Sequence, residues 1–143
     1  MIAASRTCLV IDDEVDFASF VQRVAEGMGL HTQMLTDPMQ LEQTLAVSSP
    51  DVITLDMDMP GRNGLEVLRV LSAWRLERRV IMISGTPPDH TSAGKSKVGD
   101  FEIAAILMKP ARKVDIESAL AAALDIRDDR TALGLENSCP SLN

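Results

Sequence analysis

Short apolar runs alternate along this chain with longer segments of helical periodicity. Thr7 to Ile11 reads as a strand, and Phe17, Phe20, Val21, Val24, Ala25 and Met28 then recur at helical spacing until Gly29. His31 to Leu35 is a second, less apolar strand suited to a place nearer the sheet edge. Asp37-Pro38 look like an N-cap with proline at the first position of a helix running to about Val47. Pro50-Asp51 punctuate the chain before a third strand, Val52 to Met57. The turn Pro60 to Gly64 then opens a helix with Leu65, Leu68, Leu71 and Trp74 on its apolar face.

Val80 to Ser84 is the fourth strand. The stretch Gly85 to Asp100 carries Pro87-Pro88 and two further glycines, which predicts a short or mobile fourth helix of weak signal. Ile103 to Met108 makes a fifth strand, and Val114 to about Ile126 a last helix with Ile116, Leu120 and Leu124 on one face. Arg127 to Asn143 is polar and lacks sustained periodicity, so it reads as a disordered tail behind a domain of residues 5–126. Five βα units of this kind specify an α/β fold, a parallel sheet with helices on both faces.

Composition narrows the function. A chain of 143 residues buries a core without disulfide or metal staples. Its net charge of −7 and 3% aromatic content argue against direct contact with nucleic acid, which needs phosphate neutralisation and stacking platforms. Cys8 lies in an apolar run and Cys139 in the polar tail, so no disulfide framework is expected and a reducing cytoplasm fits. No segment approaches the roughly 20 apolar residues of a membrane span, and Met1 to Thr7 lacks a signal-peptide core. The eight methionines are expected to fill core gaps.

Three carboxylates close two of the apolar runs: Asp12 and Asp13 after Leu9-Val10-Ile11, and Asp56 after Val52 to Leu55. Ligands bind beyond the carboxyl ends of strands in open α/β sheets, so these groups should converge. At about 5 Å and an effective dielectric near 20 each pair repels by roughly 3 kcal/mol, so the trio calls for a cation. Ser84 and Lys109 end two further strands at the same rim. Three carboxylates, a hydroxyl and an ammonium form a set for handling phosphate with Mg²⁺, which is usually held by one or two carboxylates plus phosphate oxygens. Asp56 is then the expected nucleophile, Asp12 and Asp13 the metal ligands, and Lys109 and Ser84 the groups that neutralise and orient the phosphoryl oxygens. Taken singly, Asp-Asp is more often a solvated turn, Lys109 a surface lysine and Ser84 a loop-starting hydroxyl; the combination reverses that. His31 and His90 lack ligand-spaced companions and read as surface residues.

Asp12-Asp13, the run Asp56-Met57-Asp58-Met59-Pro60-Gly61-Arg62-Asn63-Gly64, then Ser84, then Lys109-Pro110 resembles, in order and spacing, the receiver domain of bacterial two-component response regulators. The resemblance covers about residues 5–126. It implies a flavodoxin-like five-stranded parallel sheet of order 2-1-3-4-5. It also implies Asp56 as phosphoacceptor, with Mg²⁺ bound by Asp12, Asp13, Asp56 and the backbone carbonyl of Asp58. Ser84 becomes the switch hydroxyl and Lys109 the phosphoryl contact, while Asp58 and Thr86 occupy positions that tune hydrolysis. The phosphoryl source is a histidine kinase or a histidine phosphotransfer protein, and the output is altered affinity for an unknown partner. Such a protein catalyses only its own phosphorylation and dephosphorylation. No output domain is readable after the last helix, which suits a stand-alone receiver or a fragment of a larger regulator.

Two features depart from the family pattern. Ile106 stands where the family usually has Tyr or Phe as the second switch residue, and the segment between Ser84 and Lys109 is longer, with Pro87-Pro88 and with Gly85 in place of alanine. That segment is expected to respond most to phosphorylation. Two rival readings stay open at this point. One is a haloacid dehalogenase-like phosphohydrolase using Asp56 and Asp58, though its nucleophile strand should stand near the start of the chain. The other is a receiver-like interaction module that is never phosphorylated.

Overall fold

A computed structural model describes residues 6–85 and 97–132, with 126–132 as backbone only. Five strands form one parallel sheet: β1 (Thr7–Ile11), β2 (His31–Leu35), β3 (Val52–Asp56), β4 (Val80–Ser84) and β7 (Ala105–Met108). Their spatial order is β2-β1-β3-β4-β7, so with β7 as the fifth strand the expected order 2-1-3-4-5 holds.

Side chains alternate across the sheet with the two-residue period of a strand. Cys8, Val10, Ile81 and Ile83 face α1 (Val15–Gly27) and α4 (Lys113–Ala132), where Val21, Val24, Ile116 and Leu120 meet them. Leu9, Ile11, Ile53, Leu55, Val80 and Met82 face α2 (Leu41–Val47) and α3 (Gly64–Ala73). Because helices cover both faces, every residue of β3 and β4 is buried, which is why these strands read as continuous apolar runs. Cys8 belongs to this packing: burial pushes its thiol up to about 12, so it carries no thiolate at neutral pH.

Helix ends follow local chemistry. Gly29, at φ +90°, closes α1 in a left-handed turn, with Gly29 N–H donating to Glu26 O and Leu30 N–H to Ala25 O. Asp37 accepts from Met39 N–H ahead of Pro38, as the sequence predicts, but the first turn, Pro38–Gln40, is a 3₁₀ turn before α2. Asn63 and Glu66 cap α3 reciprocally, at 2.9 and 3.0 Å. Trp74 does not join the buried face of α3. It stands at the C-cap, 46% exposed, where the chain reverses through Arg75 at φ 62°, and Val67 takes the inner place.

Several boundaries differ from expectation, and β3 stops at Asp56, one residue before the expected Met57. Most of the predicted fourth helix, residues 86–96 with Thr86, Pro87-Pro88 and His90, lies outside the described residues. Its last part is no helix: β5 (Lys97–Val98) and β6 (Phe101–Glu102) form an antiparallel hairpin turned by Gly99-Asp100, with Gly99 at φ +57°. Val98 and Phe101 pack on the α3 side of the core, and this burial decides the local conformation. The fifth strand begins at Ala105 rather than Ile103, which is buried on the approach to it. Helix α4 continues through 127–132, the first residues of the expected tail, since no Gly or Pro interrupts the chain before Gly134. Residues 133–143 lie outside the described residues.

Candidate functional site

Parallel pairing puts the ends of β1, β3, β4 and β7 side by side, with Ile11 opposite Leu55, Asp56 opposite Ile83 and Ser84 opposite Met108. The polar residues that close these strands therefore meet at one rim. Asp12, Asp13 and Asp56 each offer a carboxylate oxygen, all within 4.8 Å of one another. Asp12 and Asp56 are both buried at 3% exposure. Asp13 Oδ1 is buried too and has no hydrogen-bond partner among the described residues.

Backbone turns hold the carboxylates from behind. Glu14 N–H donates to Asp12 Oδ1 at 2.9 Å, and Asp58 N–H donates to Asp56 Oδ1 at 3.1 Å. Lys109, beyond β7 and joined by a cis bond to Pro110, sends its ammonium into the cluster: 3.0 Å from Glu14 Oε1, 3.4 Å from Asp12 Oδ2 and 3.7 Å from Asp56 Oδ1. The same ammonium lies 4.5 Å over the Phe17 ring. Ser84, buried at the end of β4, donates to Asp58 Oδ2 at 3.3 Å.

The electrostatics follow from burial and neighbours. Burial pushes the Asp12 carboxyl up to about 6, the Asp56 charge adding to the rise while the Glu14 N–H and Lys109 oppose it. Burial would lower the Lys109 ammonium, but the Glu14 hydrogen bond and the charges of Asp12, Asp56 and Glu14 outweigh it and raise it overall. Among the described residues one lysine thus faces several carboxylates, a deficit of positive charge that a divalent cation fits. The orphaned Asp13 oxygen and the all-oxygen donor set suit a hard ion such as Mg²⁺.

The loop after Asp56 doubles back tightly. Gly64 N–H donates to Met57 O at 3.2 Å, and a Cβ on Gly64 would lie 2.7 Å from Met57 Cα, so only glycine fits there. Arg62 anchors the loop to α2 through a two-pronged pair with Glu42, at 2.8 and 2.6 Å, and a bond to Pro38 O at 3.2 Å. Ile106 pairs with Met82 and packs half-buried on the α3 side, the sheet face that also carries Ser84 two residues on from Met82. The site thus brings together Asp12, Asp13, Asp56, Asp58, Ser84 and Lys109, with Ile106 close behind. His31 is exposed at the opposite end of β2. Reading the sequence missed Glu14 and Phe17 as members of this neighbourhood, and gave Arg62, inside the Asp56–Gly64 run, no partner. Glu14 had one signal, a third acid directly after the pair; Arg62 had none, since its partner is 20 residues away.

Comparison with known proteins settles the family. The model of the response regulator receiver domain matches residues 8–121. The chain belongs to that family. MtrA of Mycobacterium tuberculosis, a DNA-binding response regulator, is 30% identical over 124 residues, which are 87% of this chain and 53% of MtrA. The photosynthetic apparatus regulatory protein RegA of Rhodobacter capsulatus is 27% identical over 121 residues, 85% of this chain and 64% of that protein. The chain therefore spans about half the length of the MtrA relatives it matches. Among solved structures, a CheY-like receiver domain from Methanospirillum hungatei superposes with a TM-score of 0.72 at 18% identity, covering 89% of this chain and 99% of that one. The receiver domain of an HD domain-containing protein from Pseudomonas fluorescens Pf-5 gives 0.75 at 20% identity, covering 88% and 99%.

This receiver is a domain of two-component signal transduction. Asp56 stands at the end of the third strand in chain order, as in the receiver reading and unlike the phosphohydrolase rival. No helix among the described residues is long and apolar enough to cross a membrane.

Proposed function

We propose that the domain takes a phosphoryl group on Asp56 in a Mg²⁺-dependent reaction, and that the modification alters its affinity for a partner protein. The observation that carries the reading is the trio of carboxylates within 4.8 Å, with one buried oxygen unpartnered and one lysine facing them among the described residues. Asp12, Asp13 and Asp56, with the backbone carbonyl of Asp58, would hold the cation, which when bound supplies neutralisation of the phosphoryl charge. Asp56, whose Oδ1 is fixed by Asp58 N–H, presents its other oxygen to the incoming phosphorus. Lys109 offers an ammonium to the developing charge, and Ser84 offers a hydroxyl once it leaves Asp58. Ile106 lies where it would pack against a repositioned Ser84, so an aliphatic side chain takes the second switch position.

The donor is a histidine kinase or histidine phosphotransfer protein, and the reaction occurs in the cytoplasm. A net charge of −7 supports a protein partner rather than nucleic acid for this domain. The DNA binding of the MtrA relatives extends by proposal only to a longer protein carrying this domain. The test is incubation with acetyl phosphate and Mg²⁺ followed by intact mass. A gain of about 80 Da that is lost in Asp56→Asn supports the acceptor; a gain that survives the substitution overturns it.

A further inference from the structure

The ammonium of Lys109 lies closer to Glu14, at 3.0 Å, than to Asp56, at 3.7 Å. Glu14 differs from the carboxylates beneath it. Its side chain is 65% exposed, whereas those of Asp12 and Asp56 are nearly closed off at 4% and 3%. Its backbone N–H is pinned by Asp12 Oδ1 at 2.9 Å, so the main chain stays in place while the side chain remains able to swing. The Phe17 ring at 4.5 Å supports the ammonium from a further side.

From this arrangement we infer that Glu14 is a positioning residue for phosphoryl transfer: its carboxylate holds the Lys109 ammonium in the resting protein and yields it to the phosphoryl group on Asp56. The inference rests on Asp56 as acceptor and assigns a task to a residue outside that set. In the transfer an Asp56 oxygen lone pair forms the new O–P bond, and the bond from phosphorus to the bridging oxygen of the acyl phosphate breaks. Acetate leaves with that electron pair and no proton is required. The product carries a phosphoryl dianion where a single carboxylate charge stood, a stronger acceptor for the ammonium than Glu14. Lys109 then exchanges partners, and Glu14 is released to water at little cost because it is already exposed. The Glu14 contact therefore counts against the phosphorylated state, and it sets how readily an anion is taken up at Asp56.

The experiment compares the full chain with its Glu14→Gln and Asp16→Asn variants. Asp16 is an exposed acid on the same first helical turn, so its substitution removes equal charge near the site without touching Lys109. Beryllofluoride affinity is measured at saturating Mg²⁺ by NMR, with acetyl phosphate uptake followed by intact mass. Glu14→Gln is expected to tighten beryllofluoride binding about three- to fivefold, the span of an exposed ion pair of up to about 1 kcal/mol. The half-saturating acetyl phosphate concentration should fall by a similar factor, with the maximal rate little changed. Asp16→Asn should do less, and its effect should vanish at about 0.5 M salt, where through-space charge is screened, while that of Glu14→Gln persists. Equal effects in both variants, or no effect of Glu14→Gln, overturn the inference while wild-type uptake leaves the acceptor reading standing. Failure of the wild type to take up either probe overturns both.

Discussion

Arg62 grips Glu42 through two hydrogen bonds, at 2.8 and 2.6 Å, and so ties the loop that follows Asp56 to the first turn of α2. The Arg62 hydrogen bond holds the Glu42 carboxyl down at about 2, from an ordinary value of 4.5. A depressed carboxyl stabilises the fold above its unfolded value and loses that contribution as pH falls through the folded one. The tie should thus be fully present above about pH 5 and lost towards about pH 2. Glu42 is half-exposed, so the effect is small: Arg62→Ala should cost about 0.5–1 kcal/mol at neutral pH. Thermal melts of both proteins against pH check this, and the difference between them should shrink in acid.

Asp12 has the opposite sign. Its carboxyl is raised from 3.8 to about 6, so the metal-free protein gains stability as it protonates, fully below 3.8, and loses it as pH rises through about 6. Without divalent cation the melting temperature should fall between about pH 4 and pH 6, and Mg²⁺ should restore it at the upper end and above by binding the ionised form. Asp12→Asn should be more stable than wild type at neutral pH without metal, and should lose most of the Mg²⁺ response. A calorimetric series with chelator or Mg²⁺ measures each of these outcomes.

Lys109 neutralises the cluster and also competes with a cation for it. Lys109→Met should bind Mg²⁺ more tightly, because one positive charge leaves the neighbourhood of Asp12 and Asp56. Uptake of phosphoryl groups should nonetheless fall by about 10²-fold, since the developing charge loses its ammonium. Isothermal titration with Mg²⁺ and timed intact-mass spectra separate the two effects.

Gly64 is required by space. A methyl group would meet Met57 Cα at 2.7 Å, inside contact distance, and the backbone there cannot move without carrying Asp56 with it. Gly64→Ala should lower stability by about 1–3 kcal/mol and slow uptake at Asp56. Urea unfolding of the variant, with the acetyl phosphate assay run beside it, tests both.

Much of this protein was legible before any coordinates. Strand β4 coincides with the apolar run Val80 to Ser84, and Gly29 ends α1 where the periodicity stops. The acids at the ends of β1 and β3 announced the site, because a strand buried on both faces places charged groups only at its ends. The hairpin over 97–102, whose first strand falls in the stretch expected to hold a weak helix, escapes the sequence because a two-residue strand has no periodicity to detect; the Gly99 turn and the packing of Val98 and Phe101 shape it. Trp74 was misplaced because helical spacing does not reveal where a helix leaves the sheet.

The amino-acid pattern by itself determined the α/β alternation, the buried strands and the rim that gathers Asp12, Asp13, Asp56, Ser84 and Lys109, since each follows from local periodicity and the direction of parallel strands. Tertiary structure alone decided the partners. Lys109 meets Glu14 across 95 residues and Arg62 meets Glu42 across 20, and such pairings depend on which loops the packed core brings together. The depth at which Asp12 is buried belongs to that second class, because desolvation is a property of the packed neighbourhood and not of the residue.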